Sequence, residues 1–264
     1  MWTPDRFESL KPTFRALRYR SARKRGIKPL VDIYVPEGVG PHPSVILIHG
    51  GAFIVGSRDM KPARFLASRL VKEGFVVASI DYRMVLRGGR FAESQEDVQT
   101  MIDWWFAHAA TYNLDTNNVS MLGISAGAAL MLMTASKAEV ERFSSLVSVY
   151  GIYDFNNLSG GPLKFMRRRL FRSRDPNVWK AHSPLFSFTK SMPLLVIHGT
   201  ADQIVPVAQA DRLVQARQSE GLPVTYIRSN EAPHGFFNDA RAPQSQQTLP
   251  RLIQFLKNPR RETS

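Results

Sequence analysis

Three short segments hold residue types that together could break an acyl bond. The first is Gly123-Ile124-Ser125-Ala126-Gly127. It follows the apolar run Val119–Leu122 and precedes an alanine-rich stretch of helical character. A serine between small residues at a strand-to-helix turn is lifted clear of its neighbours, because small flanks let the backbone close sharply. It also lies at a helix N-terminus, where positive partial charge favours a developing oxyanion. Ser125 is therefore the candidate nucleophile. Chance supplies such a pattern in about one chain in ten of this length, so the case rests on what accompanies it.

The second segment is His49-Gly50-Gly51-Ala52-Phe53, just after the apolar run Val45–Ile48. Two adjacent glycines let backbone N–H groups turn toward a ligand. Gly50 or Gly51, with the N–H of Ala126 after the nucleophile, could hold a tetrahedral oxyanion, and His49 is expected to brace the loop. The third segment is a pair. A serine hydroxyl is a weak nucleophile until a base takes its proton, and the base needs an acid to fix its tautomer. Asp202 follows the apolar run Leu194–Ile197 and the turn His198-Gly199-Thr200-Ala201. His234, in Ala232-Pro233-His234-Gly235-Phe236, is the only histidine beyond His198. The order serine, acid, histidine follows. Asp154, at the end of the strand before, is the rival acid, although an aspartate there commonly serves a turn or a cap. His198 reads as a brace for the acid loop, and His42, His108 and His182 as surface or capping residues.

These residues need a scaffold that brings four loops to one place. From Pro29 onward, short apolar runs alternate with helical patterns. Strands are expected over Pro29–Val35, Val45–His49, Val76–Asp81, Val119–Gly123, Leu146–Tyr150, Leu194–His198 and Val224–Arg228. Helices are expected over Lys61–Glu73, Glu93–Tyr112, Ala126–Lys137, Ala208–Glu220 and Gln244–Leu256. Several strands are continuous apolar runs, as strands buried on both faces are. The alternation implies an α/β fold with a mostly parallel central sheet covered by helices on both faces. The 264 residues suit one such domain.

Two segments break the rhythm. Residues 1–28 read as a basic arm containing a short helix with Phe7, Leu10, Phe14 and Leu17 on one face. Residues 155–190 form a long, lid-like insertion between two strands. Arm and lid are expected to roof the site as a small cap, with Phe53, Phe165, Phe171 and Trp179 as candidate substrate-pocket aromatics.

Composition narrows the chemistry. There are no cysteines, which removes disulfides, thiolate metal sites and cysteine nucleophiles, and fits a reducing compartment. No histidine–carboxylate spacing resembles a metal site, and the acyl chemistry asks for no cofactor. Met1–Leu17 lacks a signal-peptide core and no run reaches a membrane span, so a cytoplasmic location is expected. The net charge of +13 favours anionic partners. It is clustered at Arg15–Lys28 and at Lys164–Arg174. Those patches suit an anionic substrate or a membrane surface. No nucleic-acid motif accompanies them, so no nucleic acid is expected.

Residues 45–155 resemble the hormone-sensitive-lipase-like, carboxylesterase branch of the α/β-hydrolases. The matching pieces are HGGAF at 49–53, Gly56-Ser57, IDYR at 80–83, Glu96-Asp97-Val98 before Trp104, and GISAG at 123–127. A weaker match runs over 192–238, where Asp202 with Val205-Pro206 resembles the acid-bearing loop and Gly235-Phe236 the histidine loop. Arylformamidase and feruloyl-esterase-like groups share much of the pattern. Ala52 stands where the family often carries a third glycine, and MVLRGGRF replaces a proline-rich stretch after Arg83. The resemblance implies the α/β-hydrolase fold and a serine hydrolase cleaving small carboxylic esters of short or medium acyl chain. An amidase, an arylformamidase or a small-substrate peptidase would use the same triad, and a non-catalytic binding protein would be expected to lack one of its members. It leaves a homodimer open.

Overall fold

The computed structural model describes residues 10–20, 29–137, 142–158 and 160–259. All seven expected strands are present, with an eighth ahead of them. They are β1 (Phe14–Arg18), β2 (Leu30–Tyr34), β3 (His42–Ile48), β4 (Val76–Ile80), β5 (Leu114–Ile124), β6 (Ser145–Val149), β7 (Leu194–Gly199) and β8 (Val224–Ser229). The sheet order is β1-β2-β4-β3-β5-β6-β7-β8. β1 and β2 run antiparallel to their neighbours, and every pair from β4 to β8 is parallel.

Continuous apolar runs arise because both faces of the sheet are covered. Along β3, Ile46 and Ile48 face one core while Val45 and Leu47 face the other. This is the two-residue alternation of a strand with no solvent side. The first core is roofed by α2 (Phe91–Ala107), α3 (Ala126–Ala135) and α7 (Ala208–Ser219). The second is roofed by α1 (Lys61–Lys72) and α8 (Pro243–Lys257). The insertion contains three more helices, α4 (Gly161–Phe171), α5 (Pro176–Ala181) and α6 (Pro184–Ser187).

The N-terminal arm differs from expectation. Residues 14–18 form an edge strand, not a helix. The antiparallel edge of β2 would otherwise leave unpaired backbone groups, and pairing with them outweighs a weak helical spacing. Val35 N–H donates to Thr13 Oγ1 and Ala16 N–H to Asp32 Oδ1. Ala16 takes a positive φ of 56° where the register shifts between Phe14 and Leu17. This part of the arm therefore lies at the far edge of the sheet from β5 and does not roof the site. Phe7, Arg23, Lys24, Arg25 and Lys28 lie outside the described residues. Arg20, expected as part of a free basic cluster, is paired with Glu96 and Asp97.

The strand order also determines where a site can form. The chain passes from β3 to β4 on one side and then to β5 on the other, so the loops leaving β3 and β5 open side by side. Crevices at such switch points, at the carboxyl ends of the strands, are where open parallel sheets bind ligands.

Candidate active site

Ser125 occupies the single residue between β5 and α3, with φ 52° and ψ −116°. A non-glycine residue there is strained, and its surroundings hold it. Ser125 N–H donates to Val149 O at 2.8 Å, and Ala128 N–H to Ser125 O at 3.0 Å. The flanking glycines are required by close approach. A Cβ on Gly123 would lie 2.5 Å from Ala128 Cα, and one on Gly127 would lie 2.3 Å from Ile48 O. Thus Gly127 lets the start of α3 press onto the end of β3.

The loop after β3 is equally constrained. A Cβ on Gly50 would meet Ser125 Cβ at 3.0 Å, so this glycine lies directly beside the serine. Gly51 has φ +111°, and a Cβ there would fall 1.8 Å from Val55 O. Its carbonyl accepts from the N–H groups of Ile54 and Val55, and Ala52 and Phe53 continue the turn at φ 53° and 60°. His49 is fully buried, and its Nδ1 lies 2.6 Å from Gly50 O. Tyr82 stacks on its ring and donates to His49 O at 3.0 Å. Burial lowers the pKa of His49, which keeps it neutral with Nδ1–H as donor. Ala126 opens α3, where first-turn N–H groups have no acceptor within the helix.

The remaining two residues arrive from loops after β7 and β8. Ser125 Oγ lies 3.0 Å from His234 Nε2, and His234 Nδ1 lies 2.7 Å from Asp202 Oδ2. Asp202 Oδ1 accepts from the N–H groups of Ile204 and Val205 at 2.9 and 2.8 Å. Burial pushes the Asp202 carboxyl up. Hydrogen bonds from His198 and His234, the nearby His234 ring and the Val205 N–H outweigh it and hold the group well below the usual carboxylate range. Asp154 is occupied elsewhere: it pairs with Arg212 at 3.0 Å and caps Asn156. The geometry supports one chemical sequence. His234 can draw the proton from Ser125 while Asp202, remaining ionised, stabilises the imidazolium.

A cavity of about 380 Å³ opens beside Ser125 and His234. Its walls include Ile54, Met60, Ile124, Tyr150, Ile152 and Leu163. The four aromatics expected to line it do not. Phe53 is fully buried against Tyr82, Phe91 and Phe155. Phe171 packs on Phe91, Phe155 and His182. Trp179 is buried beneath the Arg167 guanidinium, 3.4 Å from its ring centroid. Phe165 is 57% exposed. Phe53, Phe171 and Trp179 pack into the first core and the insertion helices instead of lining the pocket. The aliphatic lining was missed because Ile54, Ile152 and Leu163 carry no motif; position after a motif was the one available signal for Ile54. Among the described residues no cluster of histidines and carboxylates could hold a metal.

The BD-FAE family model matches residues 31–217. Esterase LipC of Mycobacterium tuberculosis is 34% identical over 87% of this chain and 64% of its own length. Esterase LipQ of the same organism is 29% identical over 80% of this chain and 55% of its own length. The chain thus spans less than two thirds of these curated relatives. The solved structure of Thermogutta terrifontis esterase 2 phosphonylated by sarin superposes with a TM-score of 0.79 at 20% identity, covering 97% of both chains. At that identity the likeness concerns the fold, which is the α/β-hydrolase fold.

Proposed function

This chain belongs to the BD-FAE family, and from that premise we propose that it is a carboxylesterase-type serine hydrolase acting on small esters of short or medium acyl chain. The observation that carries this reading is the Ser125–His234–Asp202 relay, at 3.0 and 2.7 Å, beside a largely aliphatic cavity. Ser125 Oγ attacks the acyl carbonyl as His234 Nε2 takes the hydroxyl proton. The oxyanion is held by the N–H groups of Gly50 or Gly51 and Ala126. His234 then returns the proton to the leaving alkoxide, and an acyl-enzyme remains. Water, deprotonated by His234, releases the acid and restores Ser125. Each missing oxyanion donor typically costs about 10²–10³ in rate. The chemistry needs no cofactor. The cavity lies at the small end of the range for ligand pockets, which supports a compact acyl group.

No helix of the described residues is long and apolar enough to cross a membrane. The absence of cysteine supports assignment to the cytoplasm, and the positive net charge supports attraction of anionic partners.

Hydrolysis of a graded p-nitrophenyl ester series, beside an aryl formamide, tests the function, with Ser125→Ala as control. The expected outcome is an optimum among short or medium esters that the substitution abolishes by orders of magnitude. Preference for the formamide would move the assignment to an amidase. Turnover unchanged in Ser125→Ala would remove the serine mechanism.

A further inference from the structure

α4 has two unlike faces. At about 100° per residue, Leu163, Met166, Arg167 and Leu170 share one side; Leu163 lines the cavity, and Met166 and Leu170 are buried. The opposite side carries Lys164, Phe165, Arg168 and Arg169, with Arg172 at the helix end, all exposed. Phe165 is the centre of this face, and the Arg169 guanidinium lies 5.1 Å from its ring centroid. No acidic residue occurs between Asp154 and Asp175. Among the described residues none of these four cations forms an ion pair. α4 also packs beside the short turn Val85–Arg87, which adds the 73% exposed Leu86 and the exposed Arg87. Val55, 63% exposed, stands on the cavity wall with Leu163.

A solvated helix face would place carboxylates among its cations and keep large apolar groups inside. This face does neither. Protruding aromatic and aliphatic side chains inside a ring of unpaired cations match an anionic lipid surface, where the apolar tips enter the headgroup boundary and the cations meet lipid phosphates and carboxylates. We propose that the outer face of α4, with Leu86 and Arg87, docks the protein on an anionic membrane surface. Docking does not require the hydrolytic reading. Its consequence for substrate does rest on that reading: the inner face of the same helix walls the cavity, so esters at the bilayer surface would be presented to Ser125 across a short path.

Flotation with vesicles tests this, comparing phosphatidylcholine alone with phosphatidylcholine mixed with phosphatidylglycerol. Wild-type protein should float with the mixed vesicles and little with the neutral ones. Arg168→Gln/Arg169→Gln should weaken partitioning on the order of thirty-fold, at about fivefold per cation. Phe165→Ser/Leu86→Ser should abolish the part of binding that survives raised salt. A distal control of equal charge change, Lys72→Gln/Arg251→Gln, should leave binding within about twofold if the charge acts locally. All variants should turn over a soluble p-nitrophenyl ester at the wild-type rate, which separates loss of docking from failure of the esterase assignment. The proposal is overturned if wild type ignores mixed vesicles, if the distal pair weakens binding as much as the α4 pair, or if duplex DNA or RNA competes the protein off at lower charge concentration than the vesicles supply.

Discussion

His198 Nε2 lies 3.2 Å from Asp202 Oδ2, the same oxygen that His234 Nδ1 meets at 2.7 Å. The nitrogen also lies 2.9 Å from Val205 O. Both neighbours are acceptors, so Nε2 carries the proton, while Nδ1 is buried without a partner. Two imidazoles thus hold one carboxylate. His198→Phe should lower kcat for a soluble ester about tenfold with little change in KM, the worth of one hydrogen bond to a charged group. Steady-state kinetics beside a melting curve checks this; a lower Tm with unaltered kcat would reduce His198 to packing.

The depressed pKa of Asp202 makes a pH prediction. A carboxyl held below its unfolded value of about 3.9 contributes stability that is complete above that value and lost as pH falls toward the folded one. Asp202→Asn removes this contribution. The Tm gap between wild type and variant should be constant from neutral pH down to about 5 and narrow below about 4. At neutral pH kcat should fall about 10⁴-fold, because the amide favours the wrong histidine tautomer.

Gly51→Ala tests whether the loop after β3 supplies the oxyanion hole. The new methyl group would meet Val55 O at 1.8 Å on a backbone already at φ +111°. The loop must move, so kcat should fall about 10²–10³ and stability by more than about 1 kcal/mol. Single-turnover acylation and thermal melts separate the two effects. A fully active variant would remove Gly51 from the oxyanion hole.

Arg167 is the buried member of an otherwise exposed arginine run. It donates to Phe155 O at 2.6 Å and Asn156 O at 3.1 Å while covering Trp179. Arg167→Ala should destabilise the protein by about 1–3 kcal/mol and raise KM more than it lowers kcat, since Leu163 on the same helix walls the cavity. Urea melts and a KM-against-kcat comparison are the readouts. Equal damage from Arg168→Ala would contradict the distinction.

Local signals in the sequence were enough for seven of the eight strands and for the turn that carries Ser125. Continuous apolar runs demand a strand covered on both faces, and Gly123, Gly51 and Gly127 mark places where backbone must approach backbone. Those constraints act over a few residues and are written in residue type. Other outcomes depend on which surfaces meet. Residues 14–18 became an edge strand because β2 offered unpaired backbone groups. Asp202 was separated from Asp154 by Arg212, 58 residues from the latter, and by His198 closing on the carboxylate. Phe53, Phe171 and Trp179 are as aromatic in the sequence as any pocket residue, and only packing turned them into the core while leaving Ile152 and Leu163 at the cavity. Arg167 and Arg168 are adjacent and chemically identical. About 100° of helical rotation turned one inward onto Trp179 and the other into solvent, a difference that exists only once α4 has a surface to lie on.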